Sequence, residues 1–186
     1  MIRALLLSVV LFQATQPGAP KPVIENERVT VWDVAGPGTI TDTASLDSVV
    51  ISSSGKAAFF TKGKAPQLNG RSLVIALKDH TVPPVQNTSG HPRGFPRPGA
   101  KKLLENDRVI VWDYTWQPGV ATPMHFHDKD VVVWFLDDGD LKSTTPDGKE
   151  TVTQYTADTV KFNQRNRTHS ETLIKGKQRA LITELK

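Results

Sequence analysis

The chain has 186 residues, with 23 lysines and arginines against 19 aspartates and glutamates, and it contains no cysteine. The absence of cysteine excludes a disulfide framework, thiolate metal ligands and a cysteine nucleophile, so any metal must take nitrogen or oxygen ligands. The formal charge of +4 is mild and the basic residues are scattered, which gives no indication of nucleic-acid binding.

The chain begins with a segment typical of an export signal. Arg3 gives a positive start, and residues 4–12 are apolar but too few to span a bilayer. We therefore predict a signal peptide over residues 1–22, which is removed on export, and a secreted or periplasmic protein. No other stretch approaches the length of a membrane span.

A nine-residue segment occurs twice, eighty positions apart. Residues 25–33 and 105–113 are identical at seven of nine positions, which indicates a duplicated unit. The first copy is not followed by histidines, whereas the second copy is. The segment is present in both halves, including the half that has no such histidines, so its main role is not to support a site at those histidines. We therefore interpret Arg108, Trp112 and Asp113 as mainly structural.

The repeat divides the chain into two halves. We predict a degenerate first half over residues 23–81, a proline-rich connector over residues 82–104, and a second half over residues 105–186 that carries the site. Prolines keep the connector out of regular structure, so we expect it to pack over the surface. His80 and His91 lie in or beside it without the spacing of metal ligands, and we interpret both as solvent or packing residues.

Two histidines, two positions apart, open an apolar stretch in the second half. Successive side chains of a strand point to opposite faces, so His125 and His127 would lie on the same face. Two imidazoles on one face can hold one metal ion. Residues 131–136 follow as an apolar run of strand length that ends in a turn over residues 137–139. We therefore predict a metal site at the mouth of a buried strand.

The second half contains a series of short strands separated by turn residues. The predicted strands cover residues 108–114, 125–136, 140–144, 150–155, 159–162, 169–174 and 179–185. Such regular spacing is typical of a β-sandwich or jelly roll, in which the concave face of a sheet can collect ligands from distant strands.

The segment around the two histidines resembles the first motif of the cupin superfamily, G(X)5HXH(X)3-4E(X)6G. Gly119 stands at the motif's spacing before His125 and His127, and Gly139 follows at the expected distance. The glutamate of the motif is replaced by Val132.

The second cupin motif, G(X)5PXG(X)2H(X)3N, matches the chain at His169, while other residues occupy its remaining positions. These residues are Asp158, Gln164, Asn166 and Leu173. The resemblance covers residues 23–186 and implies an all-β cupin-type β-barrel or jelly roll, duplicated, with a degenerate first half. It also implies that His169 completes a three-histidine metal site. Similar sequences include small bacterial cupins labelled beta-alanine degradation proteins, a label that does not fix the chemistry.

The replaced glutamate leaves the carboxylate of the site undecided. If the strand runs unbroken from His127, Val131 and Val133 point inward and the site has no carboxylate. If residues 128–129 form a bulge, the alternation flips and Asp130 points inward as a metal ligand. We keep both alternatives, together with a solvated strand-edge position for Asp130.

Glu171 stands two positions after His169 and shares its face in a regular strand. It could be a metal ligand, an acceptor for a ligand's N–H or a general base. The alternative is a surface pair with Arg167 or Lys175.

Three histidines, with or without one carboxylate, suit a divalent ion of Fe, Mn, Ni, Zn or Cu. An open coordination position would permit oxygenase, decarboxylase or isomerase chemistry on a small carboxylate or enediol. The alternative is a non-catalytic small-ligand binding or sensor module with a structural metal. We expect a small molecule as the partner, with no nucleic acid and no membrane span, and we keep a homodimer as an open hypothesis.

Overall fold

The computed structural model describes residues 21–80 and 82–186. The predicted signal peptide lies outside the described residues except for its last two positions, so export stays a prediction. In the described part of the chain the regular elements are β-strands and one short 3-10 helix, Thr41–Ser45. No helix there is long and apolar enough to cross a membrane. The prediction of an all-β chain is confirmed.

The first half forms one antiparallel sheet and a small ribbon. Its strands are β1 (Ile24–Glu25), β2 (Val29–Val34), β3 (Gly38–Thr39), β4 (Asp47–Ser52), β5 (Ala57–Phe60), β6 (Gln67–Leu68) and β7 (Ser72–Leu77). Five of them pair in the order β1-β2-β7-β4-β5, and β3 pairs with β6. An apolar cluster that includes Trp32, Ile40, Leu68 and Val74 joins the sheet to the ribbon region.

The second half forms two antiparallel sheets. Its strands are β8 (Lys101–Glu105), β9 (Val109–Thr115), β10 (His125–His127), β11 (Asp130–Phe135), β12 (Gly139–Thr144), β13 (Glu150–Tyr155), β14 (Val160–Asn163), β15 (Arg167–Gly176) and β16 (Arg179–Leu185). One sheet has the order β10-β15-β12-β13, and the other has the order β14-β11-β16-β9-β8. The two enclose an apolar cluster that includes Phe135, Leu141, Leu173 and Ile182, which is the arrangement of a jelly roll.

The strands differ from the predicted ones at two places. The predicted strand over residues 125–136 is interrupted at residues 128–129, between β10 and β11. The predicted connector ends at residue 100 instead of 104, because residues 101–105 pair with β9 as a strand. Leu103 and Leu104 of this strand pack against the central core, which explains why the segment is ordered as sheet.

The centre of the five-stranded sheet of the second half is buried on both faces. All six residues of β11 are buried. Val132 and Trp134 pack into a core shared with the sheet of the first half, whereas Val131 and Val133 pack toward the four-stranded sheet. The apolar run of residues 131–136 thus belongs to a middle layer, as expected for a strand without polar alternation.

The two five-stranded sheets have the same strand order. The order β1-β2-β7-β4-β5 of the first half corresponds to β8-β9-β16-β11-β14 of the second half. The repeated segment lies at the equivalent place in both sheets, at β1–β2 and at β8–β9. The ribbon of β3 and β6 takes the place that the pair β10 and β15 has in the second half.

The repeated arginines form crossed ion pairs between the halves. Arg28 Nη1 lies 2.7 Å from Asp130 Oδ2 at the start of β11, and both side chains are buried. Arg108 Nη1 lies 3.0 Å from Asp47 Oδ2 at the equivalent start of β4, and these side chains are 34% and 25% exposed. Each half therefore reaches across to the same position of the other.

The other two repeat residues also have structural partners. Asp113 Oδ2 accepts a hydrogen bond from Arg179 Nη2 at 2.7 Å within the five-stranded sheet. The indole Nε1 of Trp112 donates to Glu184 Oε2 at 2.8 Å. These contacts agree with the structural interpretation of Arg108, Trp112 and Asp113.

Glu184 should make stability depend on pH. Burial raises the pKa of Glu184 above its ordinary value, although the hydrogen bond from Trp112 lowers it in part. The folded chain then holds a proton that the unfolded chain releases, so stability is lost as pH rises from the ordinary value through the folded pKa. We expect Glu184→Gln to unfold at a higher temperature than the wild type at pH 7.5, with the difference disappearing at pH 4. A variant that is destabilised equally at both pH values would contradict this reasoning.

Candidate metal centre

Two neighbouring strands bring three histidines together. In the antiparallel pair of β10 and β15, His125 lies directly opposite His169, and His127 lies opposite Arg167. His125 Nε2 lies 3.1 Å from His127 Nε2, which in turn lies 3.1 Å from His169 Nε2. All three side chains are at least partly buried. The structure therefore brings the three predicted histidine ligands into one cluster.

The outer ring nitrogens fix the orientation of two of these rings. Nδ1 of His125 donates to the carbonyl oxygen of Pro123 at 2.8 Å, since a carbonyl can only accept. Nδ1 of His169 lies 3.2 Å from Ser143 Oγ. Nδ1 of His127 is buried and has no hydrogen-bond partner among residues 21–80 and 82–186. In neutral His125 the lone pair is consequently on Nε2, which faces the other two rings.

The cluster fits a divalent metal ion. The Nε2 atom of His125 can only accept, because its ring donates through Nδ1, and this lone pair faces the Nε2 atom of His127 as a metal ligand's lone pair would face an ion. With ligands at about 2.1 Å, neighbouring nitrogens are about 3.0 Å apart in octahedral and about 3.4 Å apart in tetrahedral geometry. The 3.1 Å separations match this range.

The surroundings keep the three imidazoles neutral. Burial, as the largest cause, and the positive charge of Arg97 together lower the pKa of His125 to about 4. Burial likewise lowers the pKa values of His127 and His169, with Arg167 acting in the same direction on both. Neutral imidazoles are the form that binds metal.

Asp130 is not brought to the histidines, which corrects its prediction as a metal ligand. Its Oδ2 accepts from Arg28, and its Oδ1 accepts from the backbone N–H of Arg165 at 2.8 Å. Val131 and Val133 line the cavity beside His127, so the alternation across the interrupted residues stays that of an unbroken strand. Asp130 therefore points to the opposite face, where it joins the two halves.

Glu171 lies in the same cavity as the histidines but outside their cluster. Its Oε2 accepts from Trp116 Nε1 at 3.3 Å and lies 3.7 Å from Arg97 Nη1. Burial alone would raise the pKa of Glu171, but the positive charge of Arg97 and the hydrogen bond from Trp116 act against it, and the net pKa lies below the ordinary value. The ion-pair partner of Glu171 in the described residues is Arg97, and not Arg167 or Lys175 of the predicted surface pair.

Several residues of the cavity were not predicted from the sequence. Phe95 and Arg97 come from the connector, and Trp116 from the loop after β9. Ser143, Tyr155 and Arg167 complete the polar wall; of these, only Arg167 entered the sequence interpretation, as a surface partner of Glu171. His80 and His91 lie outside the cluster.

Several solved structures of cupin proteins are similar to this chain. No family model and no curated protein matches the chain. A cupin domain from Bordetella pertussis Tohama I is 28% identical, with 50% of this chain and 99% of that chain covered and a TM-score of 0.43. A cupin 2 conserved barrel domain protein from Leptotrichia buccalis is 13% identical, with 93% of this chain and 92% of that chain covered and a TM-score of 0.46.

A third similar structure is an RmlC-like cupin family protein with a double-stranded β-helix fold from Methanocaldococcus jannaschii. It is 15% identical, with 46% of this chain and 77% of that chain covered and a TM-score of 0.40. All three of these similar structures are described as cupin proteins.

Proposed function

We propose that His125, His127 and His169 bind one divalent metal ion of Fe, Mn, Ni, Zn or Cu, and that the protein is a metal-dependent enzyme. The observation that carries this proposal is the convergence of three Nε2 atoms at 3.1 Å beside a cavity. Such an ion supplies Lewis acidity to a bound oxygen atom. The reaction would be of the oxygenase, decarboxylase or isomerase type, acting on a small carboxylate or enediol.

The chain's own residues hold the reacting groups in place. The carbonyl of Pro123 orients the His125 ring through its Nδ1, and the hydroxyl of Ser143 orients the His169 ring in the same way. Glu171 lies in the cavity with its carboxylate oriented by Trp116, where it can accept a proton from the bound molecule. The apolar side chains of β11 exclude water from one wall.

A non-catalytic ligand-binding or sensor module with a structural metal is the second candidate function. It is favoured by the ion pair between Glu171 and Arg97, because a carboxylate held in this way is a weaker base. In that case the cavity would bind a small molecule without converting it.

Glu171→Gln distinguishes the two functions. If Glu171 is a general base, the variant should keep its metal and lose about 100-fold or more in rate, since positioned proton transfer contributes about that much. The metal content of wild type and variant is measured together with O2 uptake and product formation on a panel of small carboxylates and enediols. Glu150→Gln, at an exposed carboxylate paired with Lys142, is the control.

Three outcomes decide the proposal. A wild-type protein that holds no metal after incubation with each of the five ions would refute the metal site. Full metal content without turnover on the panel would favour the binding module. Loss of metal in Glu171→Gln would identify the carboxylate as a ligand and contradict its assignment as a base.

A further inference from the structure

The cavity beside the histidines has a volume of about 160 Å³. A cavity of roughly this volume accommodates a guest of the size of benzene. One wall is apolar and includes Phe135, Val133 and Leu141, while Arg97, Arg167 and Glu171 supply its charges. The guest must therefore be small and must combine an apolar body with a polar group.

The connector places Arg97 in this cavity by pairing with β10. The backbone N–H of Gly94 donates to the carbonyl of Phe126 at 2.9 Å, and the N–H of Phe126 donates to the carbonyl of Pro92 at 2.8 Å. A Cβ on Gly94 would lie 3.0 Å from His125 Cδ2 and 3.1 Å from His127 Cε1. Glycine therefore lets the connector pass this close to the histidines without pressing on their rings. The pairing thus holds the segment that carries Arg97 beside the histidine cluster.

Aromatic rings surround the guanidinium of Arg97. Its Cζ lies 4.1 Å from the centroid of the Tyr114 ring and 4.4 Å from that of Phe95, with Trp116 at 5.8 Å. These cation–π contacts hold the positive charge in place without forming conventional hydrogen bonds to its N–H groups.

Two nitrogens of this guanidinium have no hydrogen-bond partner in the described part of the chain, although the side chain is buried. The Arg97 side chain is 7% exposed, and its Nε and Nη1 have no hydrogen-bond partner in the described residues 21–80 and 82–186. The nearest carboxylate, that of Glu171, is 3.7 Å away. Buried charged donors are costly when they are left without partners. A ligand that accepts a hydrogen bond from this guanidinium would reduce this cost.

The charge of the cavity favours an anion. Arg97 and Arg167 contribute two positive charges, whereas Glu171 contributes one negative charge. The excess is positive even without a metal ion. A negatively charged ligand is therefore attracted in preference to a neutral one.

We propose that Arg97 binds the carboxylate of a small organic acid, with its N–H edge, while the apolar part of the acid lies against β11. The planar fork of a guanidinium matches a carboxylate in geometry and charge, whereas a neutral enediol offers no such match. This inference rests on the function proposed for the same cavity, and it selects the carboxylate from the two substrate classes. Arg97 is then the residue that determines specificity.

Calorimetry on chelator-treated protein tests this proposal without a contribution from metal. The probes are acetate, isobutyrate and benzoate, each compared with its neutral counterpart ethanol, isobutanol or benzyl alcohol. We expect at least one carboxylate to bind more tightly than its alcohol, and Arg97→Met to weaken it about tenfold to hundredfold. Arg93→Met is the matched control, because Arg93 lies in the same connector with its side chain 66% exposed, and should stay within about twofold of the wild type.

The outcomes separate this inference from the metal proposal. Folding of each variant is checked by near-UV circular dichroism, and metal content is measured separately. If Arg97→Met does not fold, Arg97→Lys tests the inference instead. The lysine ammonium keeps the positive charge but lacks the planar pair of N–H groups, so this variant should bind the carboxylate about fivefold or more weakly than the wild type. Wild-type affinity in a folded Arg97→Met or in Arg97→Lys, or no preference of the wild type for any carboxylate, would overturn the inference. A protein that binds carboxylate through Arg97 but takes up no metal would instead refute the metal proposal alone.

Discussion

Replacing His127 by alanine is expected to lower the affinity for divalent metal by about a hundredfold or more. Loss of a residue that merely orients a ligand costs about 10- to 100-fold, and loss of the ligand itself should cost at least as much. His127 is the most informative of the three positions, because its Nε2 is 3.1 Å from the Nε2 atoms of both other rings. Its Nδ1 also has no partner within the described residues, so the substitution breaks no hydrogen bond to that atom.

Metal analysis and thermal unfolding measure this effect. An ion that binds only the folded chain stabilises it by about 2.7 kcal/mol at a free concentration of 100 times Kd, which corresponds to roughly 5–10 °C. The wild type should show such a shift with at least one of the five ions, and His127→Ala should show none. His91→Ala, at a histidine outside the cluster, should behave as the wild type. Equal metal content in all three proteins would rule out the site.

Replacing Asp130 by alanine is expected to destabilise the protein by about 3–5 kcal/mol. The substitution leaves the guanidinium of Arg28 buried beside no carboxylate, and removal of one partner of a buried pair typically costs about this much. The side chains of Arg28 and Asp130 are only 7% and 8% exposed. Burial already lowers the pKa of Arg28, and Asp130 is the main group that counteracts this effect. Urea denaturation of wild type and variant measures the loss.

The crossed pair on the other side provides a matched control. Asp47 contacts Arg108 in the same way, but the two side chains are 25% and 34% exposed. Asp47→Ala should therefore cost about 1 kcal/mol or less. The metal content of Asp130→Ala should equal that of the wild type, because its carboxylate faces away from the histidines. A loss of metal without a loss of stability would restore Asp130 as a ligand and contradict the structure.

The alternation of strand side chains was sufficient to predict much of the candidate site. His125 and His127 share a face of β10, and Glu171 lines the same cavity as His169 two positions before it. The position of Asp130 could not be decided in this way. Whether residues 128–129 flip the alternation depends on their local backbone, and the partner that fixes Asp130 is Arg28, 102 positions away.

The contribution of the connector could not be predicted because its sequence has no periodicity. Its prolines indicated only irregular structure, and we expected it to cover the surface. In the structure Phe95 is buried in the second core and Arg97 enters the cavity. The backbone hydrogen bonds between the connector and Phe126 hold both side chains in place. No local sequence pattern predicts these hydrogen bonds.

The crossed pairs of Arg28 and Arg108 give the two halves the relationship of subunits in a two-fold symmetric dimer. A protein of half this length that carried the same face would need a second copy to cover it, and its folding would depend on concentration. Here one chain supplies both partners, so the association is intramolecular and persists at any dilution. The first half can then lack the histidine pair and still complete the fold around the cavity of the second half. Its strand β3, for example, consists of Gly38 and Thr39.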